Sequence, residues 1–473
     1  MTTTLWRSSG AALVESDGVV NWSGPAADAG SGADRTMELD GALLPAFADG
    51  HIHVTQTGLL LDGLDLHSAT SKEDVLDRLA AYARSNPGDI VLGTGWDETR
   101  WPVQTLPTAA ELDRATAGGL AYLSRVDVHS AIASSALLDA AGNPRHDAGR
   151  VTLDDHHAVR RAALRTLRPA QIGAAQERCL SHAAGLGIAE LHEMAGPEVS
   201  GVADALSLRE VAQALGTNVE VWWSALGDID TVRENGLTGA GGDLFCDGSI
   251  GSRTAALHEP YDDAPDTSGV LRFDTEEIVE HILAAWRAGL PTGFHVIGDA
   301  AVDQVLDALE AAATALPLVA GTRLEHVEMA SRGAIARLAG LGVTASVQPA
   351  FDAAWGGPTG MYATRLGRER GTSLNPFADF AAAGVPLRFG SDSPVCAVDP
   401  WGGVRAAVHH RTPGQGLDVA AAFDAHTVRL RPGAPATFAV WSHDGRTDLG
   451  SAPTCLRTVV GGRTVFSAEG VRT

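Results

Sequence analysis

The feature that most constrains this chain is a repeated unit in which an amphipathic helix passes through a Gly or Pro break into a short apolar strand ending in polar residues. Stretches that carry it are "SKEDVLDRLAAYARSNPGDIVLGTGW", "AQERCLSHAAGLGIAELHEM", "TEEIVEHILAAWRAGLPTGFHVIGD", "AAVDQVLDALEAAATALPLVAGTRLEHVEM", "RGAIARLAGLGVTASVQPAF" and "PFADFAAAGVPLRFGSDSPV". In each, apolar positions recur at helical spacing before a short β-prone run. Such alternation predicts a parallel sheet covered by helices. A doubly wound sheet shows the same alternation, but polar residues close many different strands here, the arrangement of a (β/α)8 TIM barrel. The fold class is therefore read as α/β, with the barrel over residues 49–425.

Both ends differ from this middle. Residues 1–48 and 426–473 read as short strands with Gly and Asp-Gly turns, as in "ALVESDGVVNWSG" and "CLRTVVGG", and are expected to pair into one small sheet domain. A length of 473 residues accommodates a large domain with such a satellite. The net charge of -23 repels phosphate, which argues against nucleic acid and anionic membrane and leaves a small molecule as the expected partner. A second copy of the chain, as a homodimer, is compatible with this reading. No basic, apolar leader opens the chain and no run of about 18 apolar residues occurs, so a cytoplasmic location is expected. The 4 cysteines are far apart and show no CxxC spacing, which indicates buried thiols. Lys72 is the single lysine among 35 basic residues.

Strand ends supply the chemistry. They carry His51 and His53 in "FADGHIHV", His192 in "AELHEM", Asp243 and Asp247 in "DLFCDG", His295 in "GFHVIGD", His326 in "RLEHVEM" and Asp392 in "FGSDSP". Imidazoles and carboxylates without a thiolate set are the ligands of a hard-to-borderline divalent metal. On a strand His51 and His53 face one side and can present two nitrogens to one ion. Singly, His295 and His326 are equally readable as hydrogen-bonded core histidines and Asp392 as a turn residue; together they converge.

These motifs, with "GTGWDETRWP", "DVHSAIASSALLDAAG", "FGSDSPVCAVDPWGGVRAAV" and "AFDAHTVRLRPGAPATFAVW", resemble the amidohydrolase superfamily, in the branch that includes N-substituted formamide deformylase. The resemblance implies a (β/α)8 barrel, a small β-sandwich built from both termini, and an insertion after the first strand at about Thr55–Asp113. It implies His51, His53, His295, His326 and Asp392 as metal ligands, with Asp392 also the general base. Relatives usually carry a carboxylated lysine, bridging two metals, where this chain has Asp243. Asp243 is several bonds shorter, so its reach as a bridge is in question. One ion is favoured over two, most simply Zn, with Fe or Mn as alternatives and His326 then polarising the substrate carbonyl; a site without catalytic metal is the remaining reading.

The expected reaction is hydrolysis of a non-peptide C–N bond by metal-activated water. A deaminase or cyclic amidohydrolase would use the same residues, and a barrel that only binds a ligand is the rival of another class. Candidate pocket residues are Trp96, Asp97, Trp101, His129, His192, Arg253 and Trp355, since aromatic walls with few polar anchors describe most small-molecule sites. For the tryptophans, core packing stands equally open. Asp247 is read either as site-shaping, through Arg253 or the loop backbone, or as a ligand.

Overall fold

The computed structural model describes residues 2–30, 32–125, 130–143 and 145–469. The chain divides into two compact units, Met1–His53 with Leu180–Thr473, and Val54–Cys179.

The first unit contains two four-stranded parallel sheets. One is built from β1 (Phe47–Ile52), β2 (Ile188–Ala195), β3 (Asn218–Trp223) and β4 (Gly239–Ala240), hydrogen-bonded in that order. The other follows chain order through β5 (Gly293–Val296), β6 (Arg323–His326), β7 (Thr344–Val347) and β8 (Leu387–Phe389). Isolated parallel bridges join the sheet edges at Ala240–Thr292, Phe245–His295 and Ile52–Ser393. At the first junction Gly241 has φ +109°, and a Cβ there would lie 2.0 Å from the Gly293 carbonyl oxygen. Only glycine lets the chain after β4 run this close to β5.

Helices between the strands show why the repeat folds as it does. In Thr275–Arg287 the buried residues Ile278, His281, Ile282, Ala285 and Trp286 form one stripe. Asp274 and Glu277 close its N-terminus as a capping box. No helix among the described residues is long and apolar enough to cross a membrane.

The termini form two further antiparallel-rich sheets in the same unit. Strands Thr3–Arg7, Ala11–Ser16, Val19–Pro25 and Arg35–Glu38 make one; Ala42–Pro45, Phe438–Trp441, Cys455–Val460 and Arg463–Ser467 make the other. The pairing of Ala42–Pro45 with Phe438–Trp441 puts both ends of the chain into one ladder. Trp6, Leu13 and Val20 from one sheet share an apolar cluster with Leu43, Phe438, Val440 and Val459 from the other.

The second unit is organised around a five-stranded sheet, Leu64–Asp65, Val91–Trp96, Ala121–Arg125, Ser130–Ala133 and Arg150–Thr152. It runs well past Asp113, where the sequence reading ended the insertion. The reason is pairing: Val91–Trp96 lies parallel to Ala121–Arg125, so a boundary at 113 would cut through one sheet. The repeat unit "SKEDV…GTGW" thus belongs to this sheet and not to the eight parallel strands of the first unit.

Candidate metal centre

At the C-terminal ends of the parallel strands of the first unit, four histidines surround two carboxylates. His51 Nε2 and His53 Nε2 lie 3.4 and 3.3 Å from Asp392 Oδ1. His53 Nε2 is 3.6 Å from Asp243 Oδ2, while Asp243 Oδ1 faces His295 Nδ1 at 3.0 Å and His326 Nε2 at 3.5 Å. All six side chains are buried. Two triads, His51–His53–Asp392 and His51–Asp243–His326, each bring three ligand atoms within 4.8 Å of one another.

Asp243 therefore reaches the centre, against the doubt raised by its short side chain. "DLFCDG" is not a regular strand; it makes one bridge, at Phe245, to His295. His295 N donates to Leu244 O at 3.0 Å and Cys246 N to His295 O at 3.1 Å. The Gly241 approach brings the backbone itself inward, and the backbone supplies the reach that the side chain lacks.

Each of three histidines is held from behind. His51 Nδ1 donates to Glu325 Oε2 at 2.9 Å, His326 Nδ1 to Gln348 Oε1 at 2.8 Å, and His295 Nε2 to the Gly248 carbonyl at 3.2 Å. With those protons committed, the inner nitrogens point bare at carboxylate oxygens. Two electron-rich atoms face each other stably only when a proton or a metal ion lies between them. His51 Nε2 and His53 Nδ1 are buried without a hydrogen-bond partner. The donor set fits a divalent metal.

Ionisation tells the same story. Burial opposes charge on His295, but Asp243 outweighs it and the imidazole is raised to about 9. Burial likewise opposes charge on His51, yet Asp392 and Glu325 push it well above the ordinary histidine value. Asp243 and Asp392 are held low despite burial, Asp243 chiefly by its hydrogen bonds to His295 and His326, Asp392 by His51 and His53. No Arg or Lys among the described residues pairs with either carboxylate. The site demands positive charge and contains no fixed cation.

Backbone geometry at the strand ends is unusual. His326, Val327 and Asp392 have φ of 68°, 50° and 54°, the left-handed region that non-glycine residues avoid. On a regular strand Glu325 and His326 would face opposite sides. The left-handed turn at His326 lets Glu325 reach His51 while His326 reaches Asp243.

The other sequence candidates fall in several places. Asp247 accepts from the backbone N–H groups of Ala256, Ile297 and Gly298 at 2.9, 3.1 and 2.8 Å, so it shapes the loop. Arg253 forks onto Asp263 at 2.9 and 2.7 Å and does not meet Asp247. Trp355 packs on Phe351 at 4.8 Å, and Phe351 stacks over His326 at 6.0 Å. His192 lies in a separate network: Arg323 donates to its Nδ1 at 2.9 Å, and its Nε2 donates to Glu190 at 3.2 Å. Trp96 and Trp101 are core residues of the second unit, their indole N–H groups donating to Leu123 O at 2.8 Å and Ala69 O at 2.9 Å. Asp97, in that unit, pairs with Arg125 at 3.2 Å. His129 lies outside the described residues.

Residues the sequence did not point to are Glu325 and Gln348, which hold His51 and His326, Arg323, which holds Glu325, and Glu328, a buried carboxyl that burial raises to about 7. The position of Glu325, just before a strand-closing histidine, was the available signal.

Comparison with known proteins agrees with this geometry. A model of the amidohydrolase family matches residues 36–466. Putative amidohydrolase YtcJ of Bacillus subtilis (strain 168) is 28% identical over 80% of this chain and 75% of its own length. N-substituted formamide deformylase of Arthrobacter pascens is 24% identical over 77% of this chain and 73% of its own. The crystal structure of an uncharacterized metal-dependent hydrolase from Pyrococcus horikoshii OT3 superposes with a TM-score of 0.78 at 25% identity, covering 92% of this chain and 96% of that one. A match that spans nine-tenths of the sequence and includes every histidine of the centre leaves one conclusion: this chain belongs to the amidohydrolase family.

Proposed function

We propose that this protein hydrolyses a non-peptide, amide-type C–N bond of a small molecule with water activated by one divalent metal, zinc in the first instance. The observation that carries the reading is the set of inner imidazole nitrogens aimed at two carboxylates with no arginine or lysine among them. His51, His53 and Asp392 would hold the ion, with Asp243 and His326 closing on it; the two triads share His51, which favours a single position. A bound ion of this class supplies Lewis acidity and lowers the pKa of water toward ~7. Asp392 accepts the proton of the attacking water and returns it to the leaving nitrogen. His326 sits where it can polarise the carbonyl, and Glu325 and Gln348 keep His51 and His326 oriented.

The scaffold we propose is a closed (β/α)8 barrel flanked by a β-sandwich of both termini. The edge bridges Ala240–Thr292 and Ile52–Ser393 support closure, and the apolar cluster shared by the terminal sheets supports the sandwich. A cytoplasmic location accords with the reduced thiols of Cys246, Cys396 and Cys455. A small-molecule substrate accords with the net charge of -23.

Elemental analysis of chain purified without chelator, together with hydrolysis assays on N-formyl and N-acyl amines, cyclic imides and aminated heterocycles, tests this reading. N-formyl amines come first because of the similarity to N-substituted formamide deformylase. One equivalent of zinc, iron or manganese with amide hydrolysis is expected. Less than a tenth of an equivalent and no activity on adding metal would leave a ligand-binding barrel. Turnover confined to heterocycles or imides would make the protein a deaminase or cyclic amidohydrolase, and a count of two would make Asp243 a bridge.

A further inference from the structure

Beyond His326 the chain turns through Val327 to Glu328, whose side chain is buried, the residue being 3% exposed. Glu328 Oε2 has no hydrogen-bond partner, and neither do Tyr362 Oη, Asn375 Nδ2 and Gln348 Nε2. Glu328 and Asn375 both act on the Tyr362 hydroxyl, which places the three side chains together. Asn375 N also donates to the Glu328 carbonyl at 2.8 Å. Buried polar groups are nearly always well partnered, so polar atoms that meet only one another, and without well-formed hydrogen bonds, mark a place where something else can bind. No Arg, Lys or His among the described residues forms an ion pair with Glu328.

An aromatic wall connects this cluster to the metal centre. Phe351 stacks over His326 at 6.0 Å, Trp355 tilts onto Phe351 at 4.8 Å, and Tyr362 meets Trp355 edge-on at 6.3 Å. A substrate laid along these rings with its reacting carbonyl at the His326 end would have its far end at Tyr362.

Building on the amide-hydrolase reading, we propose that Glu328, with Tyr362 and Asn375, forms a specificity subsite for a basic amine carried by the substrate, remote from the bond that is cut. A carboxylate without a fixed cation takes an ammonium group through charge-assisted hydrogen bonds, and the adjacent ring faces favour the same charge. Tyr362 Oη can accept from the ammonium, while Asn375 Nδ2, a donor only, can donate to the Glu328 carboxylate. The substrate class is thus an N-acyl compound bearing a second, free amine.

The test compares metal-loaded wild type, E328Q, E328D and Y362F on mono-N-formyl α,ω-diamines of two to six carbons and on N-formylalkylamines of matched length. Wild type is expected to prefer at least one diamine derivative by about tenfold or more in kcat/KM, expressed in KM. E328Q should bring that ratio to about one, E328D should restore part of it, and Y362F should lower it about threefold. Equal use of both series by wild type, or an E328Q ratio unchanged, overturns the proposal. Binding of 1,4-diaminobutane and of butanol by titration calorimetry gives a readout independent of turnover. Amine binding weakened tenfold or more in E328Q, with no butanol binding, supports the subsite even where no amide is hydrolysed, a result that would fault the amide-hydrolase reading alone. Absence of amine binding to wild type, or equal binding to E328Q, rejects the subsite.

Discussion

Two clusters of histidine and carboxylate, one buried and one partly exposed, occupy the parallel strands of the larger unit, and they are charged in different ways. Around His192, earlier along the strands, Arg323 and Arg388 stand against Glu190 and Glu325. Glu190 and Glu325 there each have a guanidinium, while Glu220 faces His192 Nδ1 at 3.6 Å. Around His51, at the strand ends, Asp243 and Asp392 face only imidazoles. The first cluster is complete as folded; the second is complete only with an added cation. The same residue types therefore build a structural plug or a reactive centre according to whether arginine is present. Glu325 belongs to both, accepting from Arg323 and from His51.

The largest expected effect separates the clusters by activity. Asp392→Asn should lower kcat/KM by about 10³-fold, in the range typical of a lost general base, while thermal unfolding of the protein changes little. A comparable loss of activity from His192→Gln, measured with the same substrate, would erase the distinction. Stability should respond in the opposite sense. Arg323→Met leaves Glu325 buried without its guanidinium and should cost about 3–5 kcal/mol in denaturant unfolding, the usual penalty for breaking a buried ion pair.

Glu325→Gln touches both clusters. It weakens the acceptor behind His51 and should reduce metal affinity about 10–100-fold by competition with a chelating indicator. An unchanged affinity would show that the plug alone uses Glu325. The smallest effect concerns acid. Burial raises the Glu190 carboxyl, but hydrogen bonding to His192 and the Arg388 charge together hold it at about 2, below its ordinary 4.5. The unfolded chain thus takes up the proton first, and the stabilisation is full above pH 4.5 and is lost as pH falls from there to about 2. Glu190→Gln should flatten that limb by about 1–2 kcal/mol, discounted for partial exposure, in acid unfolding curves.

Much of this arrangement was legible in the sequence because its signals are local. The spacing of His51 and His53 puts them on one face of any strand, and His295 and His326 each end an apolar run. Asp243 was harder. Counting side-chain bonds underestimates its reach, because the approach of the backbone at Gly241 depends on a partner strand fifty residues away in sequence. Trp96 and Trp101 have the composition of pocket residues, yet what decides their place is a carbonyl acceptor, Leu123 O or Ala69 O, that no local pattern names. The sheet that continues past Asp113 was hidden for a similar reason, since parallel pairing of Val91–Trp96 with Ala121–Arg125 is non-local. Glu328 and Tyr362 are far apart in sequence and carry no motif.

The left-handed backbone at His326 and Val327 has a consequence for how such a protein responds to selection. Valine is branched at Cβ and poorly suited to φ 50°, so glycine at 327 would relax the turn. Val327 is fully buried, however, so losing its side chain would cost more stability than the relaxed turn returns, and packing holds the strained backbone in place. A search for heat-stable variants that ignores turnover would thus keep a bulky residue at 327, and selection for packing alone would preserve the turn that aims His326.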